Sequence, residues 1–284
     1  MIGRLVIASI LAAAPAAAQS PAPAATTPSV RELFQSAQRQ AGAGDSAAAL
    51  ESLRTARAIA PNSEEILSAF AQMALARRML GPALATLDSL TRICPTVGLY
   101  HYLRGVALME AGDMPAAVVS LEQANRLEPE RPRTLLALAL AMNSRKQYRE
   151  AKGAALKSLE LDPENIEAVA ALAEAEAGAG EIGQAEDHAR RVLARAAAHP
   201  TAHLVIGIVR MQQERYAEAR DALEQAVAAN PGSAAAYYQL SLAFARLGDE
   251  ARSQQHVEMY RQKLRETEDR IKAVRSASSG EKRP

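Results

Sequence analysis

A chain of 284 residues that is 49% apolar and 23% charged has a globular balance and enough length to bury a core, which excludes a disordered polymer. Lys and Arg number 33 against 32 Asp and Glu, so no field of one sign covers the protein and a general attraction to nucleic acid is not implied. Aromatic residues are only 4% and Trp is absent, while alanine dominates, a composition that favours close-packed helices because alanine loses no side-chain entropy on ordering.

The chain opens MIGRLVIASILAAAPAAAQS, with one positive charge at Arg4, an apolar run from Leu5 to Ala14 and a small-residue site at Ala16-Ala17-Ala18. This pattern predicts a signal peptide over residues 1–18 and a periplasmic or secreted protein. The competing reading is an uncleaved anchor. The uncharged run to Ala18 contains Pro15 and is shorter than the roughly 20 apolar residues that span a bilayer, so no stable membrane span is expected after cleavage. Residues 19–29, rich in Pro and Ala, read as an extended tether. Cys94 is the only cysteine, so no internal disulfide supports the fold, and its expected role is that of a small buried hydrophobe.

From Val30 onward the chain has one period. Pro61, Pro95, Pro129 and Pro163 recur at intervals of 34 residues, and Pro231 shares their phase. Placing each at position 32 of a unit gives seven units, 30–63, 64–97, 98–131, 132–165, 166–199, 200–233 and 234–267. Position 20 is Ala49, Ala83, Ala117, Ala151, Ala185, Ala219 and then Ser253; position 24 is mostly Leu; position 27 is small or apolar. Spacings of four and three put these on one helical face. Upstream, positions 4, 7, 8 and 11 form a second apolar stripe, as in Leu67, Phe70, Ala71 and Ala74. Between the stripes stand Gly44-Asp45, Gly112-Asp113 and Gly248-Asp249, suited to end one helix and cap the next. Each unit therefore predicts helix, turn, helix and a proline-marked turn.

These features resemble the tetratricopeptide-repeat family, with its 34-residue unit, small residues at positions 8 and 20 and proline at 32. YREA at Tyr148–Ala151 and YAEA at Tyr216–Ala219 match the opening of its second helix. Arg104 at position 7, Glu176 and Arg210 at position 11, and Ala197 in place of the fifth proline depart from the pattern. The resemblance implies an all-α, right-handed α-solenoid of seven helix-turn-helix repeats, with residues 268–276 as a C-terminal capping helix that places Ile271 and Val274 inward. Residues 277–284 are expected to be a disordered tail.

In the family's geometry, first-helix positions 2, 5, 9 and 12 face a concave groove. Here they supply Leu99, Tyr102, Val106 and Met109 in the third unit, and Arg133, Leu136, Leu140 and Asn143 in the fourth. Leu204, Ile208 and Met211 follow in the sixth unit, Tyr238 and Leu242 in the seventh. Large apolar side chains in such places form a candidate groove for a peptide or helix of a protein partner. The bland alternative is that the chain's own packing covers them. The fifth unit differs, presenting Glu167 and Glu174. No lysine occupies position 5 in any unit, which argues against the family's clamp for a partner's terminal carboxylate.

No phosphate-cradling loop, nucleophile elbow or paired-cysteine motif appears, and no cofactor is expected. His199 and His203 have metal-ligand spacing, but Pro200 starts a helix between them and His203 falls at a packing position. The stretch Arg261–Arg283 carries eight basic and four acidic residues, read as a solvated helix and tail. The expectation is a non-catalytic interaction adaptor of the bacterial cell envelope. A self-assembling homo-oligomeric scaffold is the alternative, and a divergent enzyme is the least favoured reading.

Overall fold

The computed structural model of the chain describes residues 28–280; the expected signal peptide, most of the tether and residues 281–284 lie outside that range. Among the described residues there are fourteen helices and no strand. In chain order they are α1 (Val30–Gly42), α2 (Ser46–Ile59), α3 (Glu64–Ala76), α4 (Leu80–Ile93), α5 (Gly98–Ala111), α6 (Met114–Leu127), α7 (Pro132–Ser144) and α8 (Tyr148–Leu161). Next come α9 (Ile166–Ala179) with α10 (Ile182–Arg195), α11 (Pro200–Gln212) with α12 (Tyr216–Ala229), and α13 (Ala234–Arg246) followed by the long α14 (Glu250–Gly280). The fold is an all-α solenoid.

The chain forms two compact units, one reaching Ala107 and including the residues from Ala273, the other spanning Leu108–Lys272. In the first unit, α1 packs on α2, α2 on α3 and α3 on α4. Its core joins Ala37, Leu50, Leu53, Phe70 and Ala83. In the second unit, successive helices from α6 to α13 pack in order, and the first helices of neighbouring repeats also touch, α7 with α9, α9 with α11 and α11 with α13. Its core includes Val169, Val192, Val205 and Val209 in one cluster and Leu204, Leu223, Leu240 and Phe244 in another. Each such large side chain contributes about 2 kcal/mol by leaving water.

The alanines at position 20, from Ala49 to Ala219, are fully buried because they sit where two helices of a repeat approach most closely. Gly207 shows how close: a Cβ there would lie 2.4 Å from Leu223 Cγ. Caps define the helix starts. Ser29 and Glu32 form a reciprocal capping box on α1, and Asp45 Oδ1 accepts the Ala48 N–H at 3.0 Å.

The three charges that break the apolar pattern are each held by a partner. Arg104 Nε donates to Asp88 Oδ1 at 2.8 Å. Glu176, 2% exposed, accepts from His188 Nδ1 at 2.7 Å with Lys152 Nζ 4.0 Å away. Arg210 donates to Glu186 Oε1 at 2.7 Å and holds Gln213. Arg104 and Asp88 keep contact with water, whereas Glu176 and Arg210 are buried, where a charge left alone costs several kcal/mol and the paired groups complete the packing.

The C-terminal part corrects the sequence expectation. Residues 268–276 are not a separate capping helix and 277–280 are not a frayed tail, because both belong to the single 31-residue α14. The cause is local: no Gly or Pro stands between Glu250 and Ser279, and Arg265 occupies the frame position where a proline would have ended the helix.

Candidate functional site

The first helices carry the candidate face, and its members fare differently. In the first unit Leu99, Tyr102 and Val106 of α5 are half-buried. In the second unit Leu204 is buried within the α11–α13 core, with Ile208 and Met211 packed against the same cluster. Asn143 is also interior, its Nδ2 donating to the Ala171 carbonyl at 2.8 Å. Met109, Leu136 and Leu140 are half-buried, and Arg133 is exposed. Tyr238 and Leu242 on α13 are 43% and 37% exposed. Tyr238 and Leu242 are thus the exposed apolar members, Leu136 and Leu140 keep part of their surface open, and in the sixth repeat Leu204 is buried while Ile208 and Met211 are half-buried against the core.

Sequence reasoning missed a member of this surface. Tyr260 of α14 lies with its ring 5.4 Å from that of Tyr238. Its place at position 27 of the seventh unit predicts packing inside the repeat; in the structure it is half-buried beside Tyr238.

The acids of the fifth repeat behave oppositely. Glu167 accepts from His199 Nε2 at 3.4 Å, and that hydrogen bond lowers its pKa from the ordinary value. For Glu174 burial is the larger influence. Part of its surface reaches solvent, yet the protein crowded around it dominates, and burial pushes its carboxyl up to about 7 against the lowering effect of the Asn143 amide. Burial and the nearby Glu174 also raise the Tyr148 phenol. Glu174, at position 9 beside the Asn143 amide, is therefore a carboxyl whose charge changes near physiological pH.

The histidines are structural in this geometry. His199 Nδ1 accepts the Ala202 N–H at 3.3 Å and caps α11. His203 Nε2 donates to the Ala197 carbonyl at 2.8 Å, and His101, at the same repeat position, donates to the Pro95 carbonyl at 3.1 Å. Both tie a first helix to the turn before it. Among the described residues no group of three His, Cys, Asp or Glu side chains is placed to hold a metal ion. Cys94 is half-buried rather than enclosed, and burial together with the Glu64 carboxylate raises its thiol pKa.

The tetratricopeptide-repeat family profile matches residues 170–230 and 204–262. Among curated protein sequences none is significantly similar to this chain. Solved structures share the fold. A tetratricopeptide-repeat protein from Parabacteroides merdae ATCC 43184 superposes with a TM-score of 0.66 at 17% identity, over 88% of this chain and 98% of its own. The MamA protein gives 0.55 at 20% identity over 58% of this chain and 90% of its own. YrrB, described as a tetratricopeptide-repeat protein with an unusual peptide-binding site, gives 0.52 at 19% identity over 66% and 96%.

Proposed function

We propose that this chain is a tetratricopeptide-repeat protein acting as a non-catalytic adaptor of the cell envelope that binds an apolar peptide or helix of a partner protein, a reading supported by the family profile over its C-terminal repeats and by the shared fold. The observation that carries the reading is the pair Leu136 and Leu140, with Tyr238 and Leu242, standing on first helices with surface left to cover. A helix-pair scaffold spends its interior on packing; large apolar groups left outside it are available for association. Methionine and tyrosine nearby suit a surface that adapts to a partner. Export rests on the N-terminal segment, whose charge, apolar run and small-residue site favour a cleaved leader.

The test is the double variant Leu136→Glu/Leu140→Glu, assayed by cross-linking capture from envelope extracts beside circular dichroism. Partner recovery is expected to fall at least about tenfold, the scale of 1.4 kcal/mol of lost binding energy, with helicity unchanged. Equal recovery with intact helicity would remove the face from consideration.

A further inference from the structure

We infer that the C-terminal half of α14 is a detachable strap, docked on the second and third repeats through approaches so close that only glycine admits them. The first half of the helix completes the seventh repeat. His256 stacks within 5.2 Å of the Phe244 ring and 6.0 Å of the Tyr237 ring, and Tyr260 meets Tyr238. Nothing in the seventh repeat requires the helix to run on from there to Gly280. A charged helix continuing alone into water would fray, since a helix of that length is marginal without packing.

It does not stand alone. Lys263, Thr267, Ile271, Val274 and Ser278 are all half-buried, at successive spacings of four, four, three and four, so one face is covered along its length. The glycines show by what. In the second unit, a Cβ on Gly112 would lie 2.5 Å from Thr267 Cγ2, with Ile271 Cδ1 at 3.9 Å. In the first unit, a Cβ on Gly81 would lie 2.4 Å from Ala277 Cβ, and its three nearest atoms would all belong to Ala277. Gly112 also needs its left-handed backbone, φ +92°, for the turn. Gly81 sits inside α4 and needs no such freedom, so the approach of Ala277 is what its missing side chain serves.

The contact is narrow. Only Ile271 and Val274 are sizeable apolar groups, while Arg265, Glu268, Asp269 and Lys272 on the same stretch are exposed. So little apolar area favours docking that it is reversible.

Hydrogen exchange on the full chain tests this with Gly81→Ala. In α4 the change favours the helix, because alanine is the better helix former, whereas its methyl group collides with Ala277. Amides from 268 to 279 are expected to be protected about 100-fold in the parent and to lose at least about tenfold in the variant, with α4 no faster. Adding Ala277→Gly makes room and is expected to restore protection, with Ala277→Gly alone as the control for helix weakening. An unprotected parent segment, an unaffected Gly81→Ala segment, or a loss that spreads through α4 and resists the second change would each overturn the strap.

Discussion

At the scale of single residues, one backbone position recurs through the whole array. Position 15 is left-handed in every repeat, as Gly44, Gly112, Gly180 and Gly248 with φ between 78° and 92°, and as Arg78, Lys146 and Glu214 with φ of 57° to 59°. A side chain in that conformation costs about 1 kcal/mol, which glycine avoids at some cost in unfolded-state entropy. Lys146→Gly is therefore expected to raise the unfolding free energy by up to about 1 kcal/mol, visible as a higher melting temperature; a lower one would mean that no strain is stored there. Glu174 offers a second test. Its folded pKa of about 7 stands above the ordinary 4.5, so between those values the folded chain holds the extra proton and stability declines as pH rises. Glu174→Gln removes the penalty of a buried charge. Denaturant curves at pH 8 are expected to show the variant more stable by about 2 kcal/mol, allowing for the carboxyl's remaining contact with water, and at pH 4.5 to show no gain. A constant difference across that range would place the effect elsewhere than in titration.

At the scale of elements, what could be read from the sequence depended on whether the cause was local. Helix pairs were legible because Ala at position 20 and the phased prolines recur every 34 residues, and periodicity states directly which face is buried. The Gly-Asp turns were legible for the same reason. The turns at Arg78, Lys146 and Glu214 were not, since their left-handed backbone is imposed by the helices on either side against the residue's own preference. Glu176 and Arg210 looked like errors in the apolar stripe because their partners His188 and Glu186 lie 12 and 24 residues away, on second helices. Two members of the candidate face, Asn143 and Leu204, are interior for a related cause. Position 5 is interior at Leu204 and open at Tyr238, and that difference follows from how tightly successive first helices stack, which no single repeat encodes. For α14 the local signal is continuous, with no breaker before Gly280, whereas the 34-residue frame predicts a boundary after Thr267 that the helix does not have.

At the scale of the whole molecule, the distribution of exposed apolar side chains bears on whether copies of the chain associate. A solenoid must cover its last repeat, and here α14 does so by laying His256 and Tyr260 over the rings of α13. Of the other exposed apolar groups, Ile59, Ile93 and Leu161 stand at the same repeat position, in the last turn of α2, α4 and α8, Val119 and Leu156 lie within α6 and α8, Leu247 caps α13 and Leu264 lies on α14. Single exposed apolar side chains on different helices are ordinary for a protein surface. The arrangement favours the adaptor over the self-assembling scaffold, because the larger apolar groups that remain, on α7 and α13, suit a peptide better than a second flat surface. Native mass spectrometry of the protein recovered from the envelope tests both this and the leader. The expected species is a monomer beginning after Ala18, since Ala16-Ala17-Ala18 supplies the small side chains that a signal peptidase site needs. A stable dimer at tens of micromolar would return the exposed leucines to self-assembly, and a mass that retains Met1 to Ala18 would make the N-terminal segment an anchor.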